Sequence, residues 1–579
     1  MLGGNASSEV RMHIVGATGL EGGHALETEL REGGIMEEIR LDLAVHNPQR
    51  SASMMDLVLY DKCRREPNLT LLLNTTVVGT QVEGRLIKSV LAERQSTEDR
   101  FHITAKMFVD CTGDGHLGVE AGAPYRRGRE GREQFAERMA PPVGDGKTLG
   151  SSLLFQARKH DRLMPFVAPP WVRRFKAADF QFRAFGKPGY DLGLEYGYWW
   201  VEWGGCLDTI KDNERIRDEL LAIVLGVWNY IKNESGLDTA HWALEWFGFL
   251  PGKRESRRFV GQHVLCESDL LAAHPFSDAI AYGGWPIDLH PPEGVDAPDL
   301  PPCDQRHLPY LYDIPLRACV SAGPANLMFA GRNISATHVA FASTRVMATC
   351  AAVGQGVGTA AALAMREGTL PAEIASRADL VRKIQQQLLK DDCYLIGIRN
   401  EDPKDLVRMA ALITGSSAVP GGEPELVRSG QTRSTHGKPG ADGPTCAPPD
   451  RAFPGRHRWM SDPAMGLPAW LEISWAKPVV LREIVLIFDT GLHRLLTLSQ
   501  ADGYTRKMLW GQPQPETVRD YTVECQSASG WQVITQVEGN YQRRRTHRLA
   551  PTDTTALRIH VTATNGLDHT RIVEVRAYS

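Results

Sequence analysis

Two histidines and a short run of cations are the residues of this chain whose types and settings could do chemistry. His290 closes the stretch "YGGWPIDLH", which also carries Trp285 and Asp288, and His338 closes "AGRNISATH", behind Gly331 and Arg332. Between residues 251 and 258 the sequence "PGKRESRR" gathers Lys253, Arg254, Arg257 and Arg258. An imidazole can take or give a proton near neutral pH, and a guanidinium fork binds planar anions through parallel hydrogen bonds. Together these groups suit proton transfer on a substrate held by its polar or anionic parts. Each also has a plainer reading: a loop histidine as a structural hydrogen-bonding group, and the arginines as a solvated turn paired with Glu255.

Glycines and one short acidic turn raise a second possibility, a bound cofactor. "RFHITAKMFVDCTGDG" reads as a strand running into Asp110, Thr112, Gly113 and Asp114, where small residues allow close approach and a carboxylate could hold sugar hydroxyls. A tight turn closed by its own Asp side chain would look the same. Further on, "NLMFAGRNISATHVAFASTRVMATCAAVGQGVGTAAALAMREG" reads as an apolar strand, a polar loop and a long helix. Gly354, Gly356 and Gly358 fall inside that helix, where each glycine costs about 1 kcal/mol against alanine. Such a cost implies a close neighbour, and a cofactor is the economical one. By contrast, "MHIVGATGLEGGHALE" has two readings, a phosphate loop or a glycine-rich turn that resembles one. Its glycines (Gly16, Gly19, Gly22, Gly23) are spaced G-x-x-G-x-x-G, and Glu9, Arg11 and His13 precede them where a parallel strand should be apolar. It reads as a glycine-rich loop before a helix over residues 24–43.

The elements that must position these groups belong to more than one domain, since 579 residues exceed what one core supports. Lys plus Arg (65) nearly balances Asp plus Glu (69), so no overall field invites nucleic acid. The sequence shows no apolar run of membrane-spanning length and no signal peptide, so no transmembrane segment is expected. The ten cysteines lack metal-ligand spacing, and no metal is expected. Residues 69–92 signal a hairpin turning at Gly84, and residues 212–233 an amphipathic helix. The aromatic run "YGYWWVEWGG" suits core packing more often than stacking on a sugar or flavin. From residue 400 the texture becomes Gly/Pro/Ser-rich, and short strands then follow at regular spacing, from "PAWLEISW" and "VVLREIVLIFD" through "THRLAP" and "ALRIHVTAT" to "RIVEVRAY". That pattern predicts an all-β sandwich or jelly roll, with Trp470, Trp475 and Trp531 in its core.

The strand, "AGRN-S" loop and small-residue helix of residues 326–368 resemble the C-terminal FAD-binding segment of the FAD-dependent oxidoreductases related to the fumarate reductase and glutathione reductase flavoproteins. "LGGNASS", "VDCTGDG", "PGKRESRR" and "GGWPIDLH" resemble further blocks of that family, so the likeness spans residues 1 to about 370. It implies an α/β Rossmann-like FAD domain (1–150 and 311–400) interrupted by an α+β substrate domain (151–310). FAD would be held by Gly3, Gly4, Asn5, Ala6, Ser7, Val77, Thr112, Gly113, Asp114, Gly331, Arg332, Asn333, Arg345, Gly354 and Gly356. His290 and His338 become candidate bases, and Arg254, Arg257 and Arg258 would orient a small-molecule substrate. In the family, a βαβ unit with G-x-G-x-x-G precedes "LGGN"; here Met1 sits almost on that loop, so the Rossmann-like domain is expected to be N-terminally incomplete and the gene product to extend upstream. A lost N-terminus would take an export signal with it, which leaves the compartment open.

The tail (401–579) resembles a discoidin or coagulation-factor type C module, a galactose-binding-like β-sandwich, and implies a glycan partner. Two functions follow as expectations. One is hydride transfer from a small hydroxylated, carbohydrate-related substrate to flavin. The other is a glycan-binding or interaction protein whose front domain is degenerate and flavin-free.

Overall fold

A computed structural model of the chain describes residues 2–17, 28–185, 193–440 and 443–579. Its buried apolar residues gather into three principal cores. The first is built around one parallel strand pair, Phe108–Asp110 beside Leu327–Phe329, with Asp110 opposite Phe329. Parallel strands end at the same edge of a sheet, so the turn after Asp110 and the loop after Phe329 emerge side by side. This register alone brings residues 111–115 to residues 330–337. The run read as one strand before Asp110 is two: Asp99–Thr104 joins the antiparallel hairpin of Thr76–Glu83 and Leu86–Arg94, and only Phe108–Asp110 joins the parallel pair. Gly84 turns that hairpin at φ 60°.

The helix read over 24–43 begins at Gly34 and runs to His46; residues 18–27 lie outside the described ones. Residues 11–16 form no strand, as their mixed polarity requires. Behind Phe329, Thr337 caps the helix His338–Thr344 by accepting from the Ala340 N–H, and the long helix Met347–Glu367 follows. This second helix is, among the described residues, one long and apolar enough to cross a membrane by length and composition alone, with mean hydropathy 1.3. It packs against the strand Ala279–Gly283 and the helices Gly34–His46 and Ala378–Lys390.

The second core surrounds the helix Asn213–Asn233, packed with the antiparallel strands Phe155–Lys159 and Trp242–Phe247. Tyr198 and Trp200 stack within it, centroids 5.1 Å apart. Beside it a three-stranded sheet sets Ser151–Ser152 between Gly252–Lys253 and Glu202–Trp203. That small sheet puts Glu202 next to the cation run. The stretch "GGWPIDLH", read as a loop, contains the strand Ile287–Leu289, paired with Asp304–Arg306 so that Asp288 faces Gln305.

The third core lies within a seven-stranded antiparallel sheet of residues 412–578. Two pairs of expected strands run on as single ones, Ala469–Phe488 and Arg544–Thr564. Pro478 and Pro551 lie within these continuous strands, at or beside breaks of register between them, where a missing N–H is tolerated. Trp475 is core, as expected; Trp470 and Trp531 are half-buried and flank the Arg558 guanidinium, 5.3 and 3.9 Å from the ring centroids. The Gly/Pro-rich stretch carries the sheet's first strand, Leu412–Gly415, and buries Arg433, Ser434, Cys446 and Ala447. Ion pairs seal the sheet to the rest of the chain. Arg458 lies between Glu29 (2.5 Å) and Asp489 (2.6 Å), and Arg543 pairs with Asp392 at 2.6 Å, all of them buried.

Candidate active site

The turn after Asp110 and the loop after Phe329 meet as their register demands. Asp110 is saturated: its carboxylate accepts from the Thr112 N–H and hydroxyl, the Gly118 N–H and the Asn333 amide. Asp114 accepts from Lys253 Nζ (2.6 Å), Ser256 Oγ (2.8 Å) and Arg332 Nη2 (3.2 Å). Burial would raise its pKa, but Arg332 and Lys253 outweigh that and hold it low. Asp114 is therefore an anion occupied by cations, where the sequence suggested a carboxylate free for sugar hydroxyls. Gly113 is tight against this pair, since a Cβ there would meet Arg332 Nη2 at 2.8 Å. Asn5 joins by donating to the Lys253 carbonyl.

The four cations of "PGKRESRR" do not converge on one ligand. Lys253 is spent on Asp114. Arg254 donates to Ser152 Oγ and the Trp199 carbonyl, both at 2.8 Å, and pairs with Glu202 at 3.3 Å. Arg257 is half-buried, bonds the Asp114 carbonyl and stands over the Tyr125 ring. Arg258 is fully buried, held by Glu130 and Glu255, and so belongs to the interior rather than to a substrate surface. His338 shares that interior network, its Nδ1 2.9 Å from Glu255 Oε2. Burial acts to raise Glu255, and His338 and Arg258 more than reverse it.

His290 stands at the centre of a different cluster. Its Nδ1 is 2.6 Å from Glu202 Oε2, and its Nε2 is 3.2 Å from both Asp288 Oδ2 and Arg345 Nη2. Arg345 also bonds Asp288 Oδ2 at 3.0 Å, and Gln305 donates to Asp288 Oδ1. Both carboxylates are low in pKa despite burial: Arg254 and His290 do this for Glu202, His290 and Arg345 for Asp288. Glu202 Oε1 and Arg345 Nε are buried without a hydrogen-bond partner, each at a cost of about 1–3 kcal/mol. Trp199, 36% exposed, meets the imidazole edge-on with centroids 5.4 Å apart.

Two protonation states of His290 are thus fully satisfied. A cation donates from Nδ1 to Glu202 and from Nε2 to Asp288; a neutral ring keeps the first bond and accepts at Nε2 from Arg345. A group that can gain or lose a proton at one atom with its partners in place is suited to general acid–base work. Arg345, expected at the cofactor, is part of this cluster. Asp288 was noted in the sequence beside His290, but Glu202 was missed; it lies inside the aromatic run, whose alternation signalled only packing.

Of the other expected cofactor residues, Ala6 packs with Ile14, Met55 and Ala348. Ser7 is buried, and Gly3 approaches Leu59. Val77 stands apart in the hairpin, opposite Ala92. Asn333 is buried against Asp110. Gly356 has a protein neighbour: a Cβ there would lie 2.7 Å from the Ile280 carbonyl, which by itself explains that glycine. Gly354 and Gly358 meet nothing within 4 Å.

These residues fit the flavin end of FAD. Cys350 lies in the field of Arg332 and Arg345, and Gly354 and Gly358 follow it at four-residue steps along the same open helix face. Gly4 is likewise unobstructed, and a Cβ at Gly331 would meet Asn333 Oδ1 at 3.8 Å, an ordinary contact. The diphosphate end is not accounted for. At Gly16 a carboxylate already fills the space a phosphate would need: the Ala17 N–H donates to Glu32 Oε1 at 2.6 Å, and a Cβ at Gly16 would lie 2.2 Å from it. Gly19, Gly22 and Gly23 lie outside the described residues. No cluster of three or more His, Cys, Asp or Glu suited to a metal occurs among the described residues.

A family model described as FAD dependent oxidoreductase matches residues 1–388. No curated protein matches the chain. Among solved structures, the chain is similar to a family 32 carbohydrate-binding module from C. perfringens NanJ in complex with galactose, at 10% identity and TM-score 0.21, covering 30% of this chain and 98% of that one. It is also similar to the family 32 module of Streptococcus pneumoniae EndoD, at 16% identity and TM-score 0.20, covering 29% and 94%. A third is chitosan-binding module 2 of a Paenibacillus sp. IK-5 chitosanase/glucanase, at 12% identity and TM-score 0.20, covering 30% and 99%.

Proposed function

The chain belongs to the FAD dependent oxidoreductase family, and from that premise we propose that it dehydrogenates a small hydroxylated substrate at the His290 cluster. The observation that carries this reading is the pair of satisfied states at His290 Nε2, one facing Asp288 and one facing Arg345. Bound FAD supplies the two-electron acceptor. His290 takes the hydroxyl proton at Nε2 as the C–H bond is broken, while Glu202 keeps hold of Nδ1–H and fixes the tautomer. Arg254 fixes Glu202 in turn. Arg345 orients the substrate oxygen, and Trp199 offers a partly exposed ring face beside it. Asn5 and Asp114, joined by Lys253, and Arg332, bonded to Asp114, would border the flavin. The test is single-turnover reduction of the FAD-loaded protein with a panel of polyols and sugars. Reduction by a member of the panel, slowed in H290Q with FAD still bound, supports the reading; equal rates in both proteins count against His290.

A second reading is favoured by the half-buried Trp470 and Trp531 rings that flank Arg558 on the sheet module. In it the front half holds no dinucleotide, and the β-sheet module acts as a glycan-binding unit. A chain that retains no flavin but is held back on an immobilised galactoside or chitosan column would support it.

A further inference from the structure

We propose that Arg399, Arg408 and Arg428 form a binding site for a small, multiply charged oxyanion, a phosphorylated or polycarboxylated molecule, where the oxidoreductase half meets the β-sheet module. The three side chains line a polar cavity of about 400 Å³ together with Asn400, Glu401 and Ser429. Taking about 30 Å³ for each water, this space holds on the order of a dozen, enough for a small organic anion.

The cations come from three separate segments: the chain leaving the helix Ala378–Lys390, the turn Leu406–Met409 and the turn Pro424–Arg428. Like charges brought together by folding repel unless something negative lies between them. The protein supplies little of it here. Arg399 lies flat on Phe453, its guanidinium carbon 3.4 Å from the ring centroid, and its side chain makes no hydrogen bond or ion pair among the described residues. Among the described residues, Arg408 bonds only the Asn400 carbonyl. Arg428 has Glu425 and the Ala410 carbonyl. Glu401 is the one carboxylate in the lining, against three guanidiniums.

The floor is fixed in advance. Asn400 is buried, donates through its amide to Asp405 at 2.9 Å and through its backbone N–H to the Gly430 carbonyl at 3.0 Å. A stacked guanidinium with all its donors unspent is the group that grips a phosphate or carboxylate through two bonds. An occupant would touch Arg399, from the chain that leaves the helix Ala378–Lys390, together with Arg408 and Arg428 of the two turns.

Calorimetric titration of the full chain with inorganic pyrophosphate at constant ionic strength tests this without any flavin. The expected result is saturable one-to-one binding, at least tenfold weaker in the R399Q/R408Q double variant and tighter in E401Q, where a repelling charge is gone. Arg399, Arg408 and Glu401 are exposed, so the thermal midpoints of these variants should match the parent and exclude misfolding. Absence of saturable heat, or equal affinity in parent and double variant, would overturn the proposal.

Discussion

Glu202 Oε2 lies 2.6 Å from His290 Nδ1, across 88 residues of sequence, with both side chains almost wholly buried. The strand Glu202–Trp203 delivers the carboxylate and the segment after Ile287–Leu289 delivers the ring. Neither local pattern announces the other. The pairing occupies Nδ1 and leaves Nε2 as the atom to which the proposed mechanism assigns the substrate proton.

Replacing His290 with Gln keeps a polar side chain but removes the titrating group. Loss of a general base lowers the rate by about 10²–10⁴-fold. The expected outcome is that drop in flavin reduction rate with unchanged FAD affinity, read by stopped-flow absorbance. E202Q should also slow the reaction, by releasing the tautomer that Glu202 holds.

The glycines of the Met347–Glu367 helix separate close packing from open space. A Cβ at Gly356 would meet the Ile280 carbonyl, so G356A should destabilise the protein by about 1–3 kcal/mol, as overpacking does. G354A fills nothing in the protein and should stabilise the flavin-free form by up to about 1 kcal/mol through helix propensity. If flavin lies on that face, G354A also weakens its binding. Urea unfolding and FAD titration of both variants read the two effects separately.

His13 is part-buried beside the Tyr196 ring, and loss of solvation lowers its pKa to about 4. An unfolded histidine titrates near 6.5, so unfolding takes up a proton at any pH between these values. The sign is that of a lowered cation: its contribution to stability is intact above about 6.5 and is lost as pH falls towards 4. The loss reaches at most about 3 kcal/mol. H13Q should flatten the decline in stability over that window, as measured by denaturant midpoints at stepped pH.

Arg458 holds Glu29 of the front half and Asp489 of the sheet module at once. R458M leaves the buried Glu29 without its cation and Asp489 with Arg571 alone, a cost of about 3–5 kcal/mol. Because the Arg458–Glu29 pair crosses between the halves, the expected outcome in calorimetry is a lower and split transition in R458M, against a single one expected for the parent.

Much of the fold was legible because it is local. The hairpin at Gly84, the helix near 213–233, the strand and loop before Arg332, and the β-rich tail all carried their own periodicity and turn residues. What misled was chemistry that depends on partners. The tail's short expected strands are in part halves of longer ones, which pass through Pro478 and Pro551 where the ladder is interrupted. Arg258 looked like a substrate clamp because its buried acceptor Glu130 is 128 residues away. Asp114 looked free because Arg332 is 218 residues away. Gly356 suggested a cofactor, and its neighbour is a strand the sequence did not place beside it. At the Gly16 turn the glycine spacing already argued against a phosphate loop, but only the fold shows the Glu32 carboxylate seated against it.

The most direct test of the central claim is the visible absorption spectrum of the full chain after incubation with FAD and removal of free ligand. The account predicts retained flavin with a shifted, structured band, reduced in amount by a bulky substitution such as G354V. A spectrum without flavin at saturating FAD would contradict it and leave the glycan-binding reading in its place.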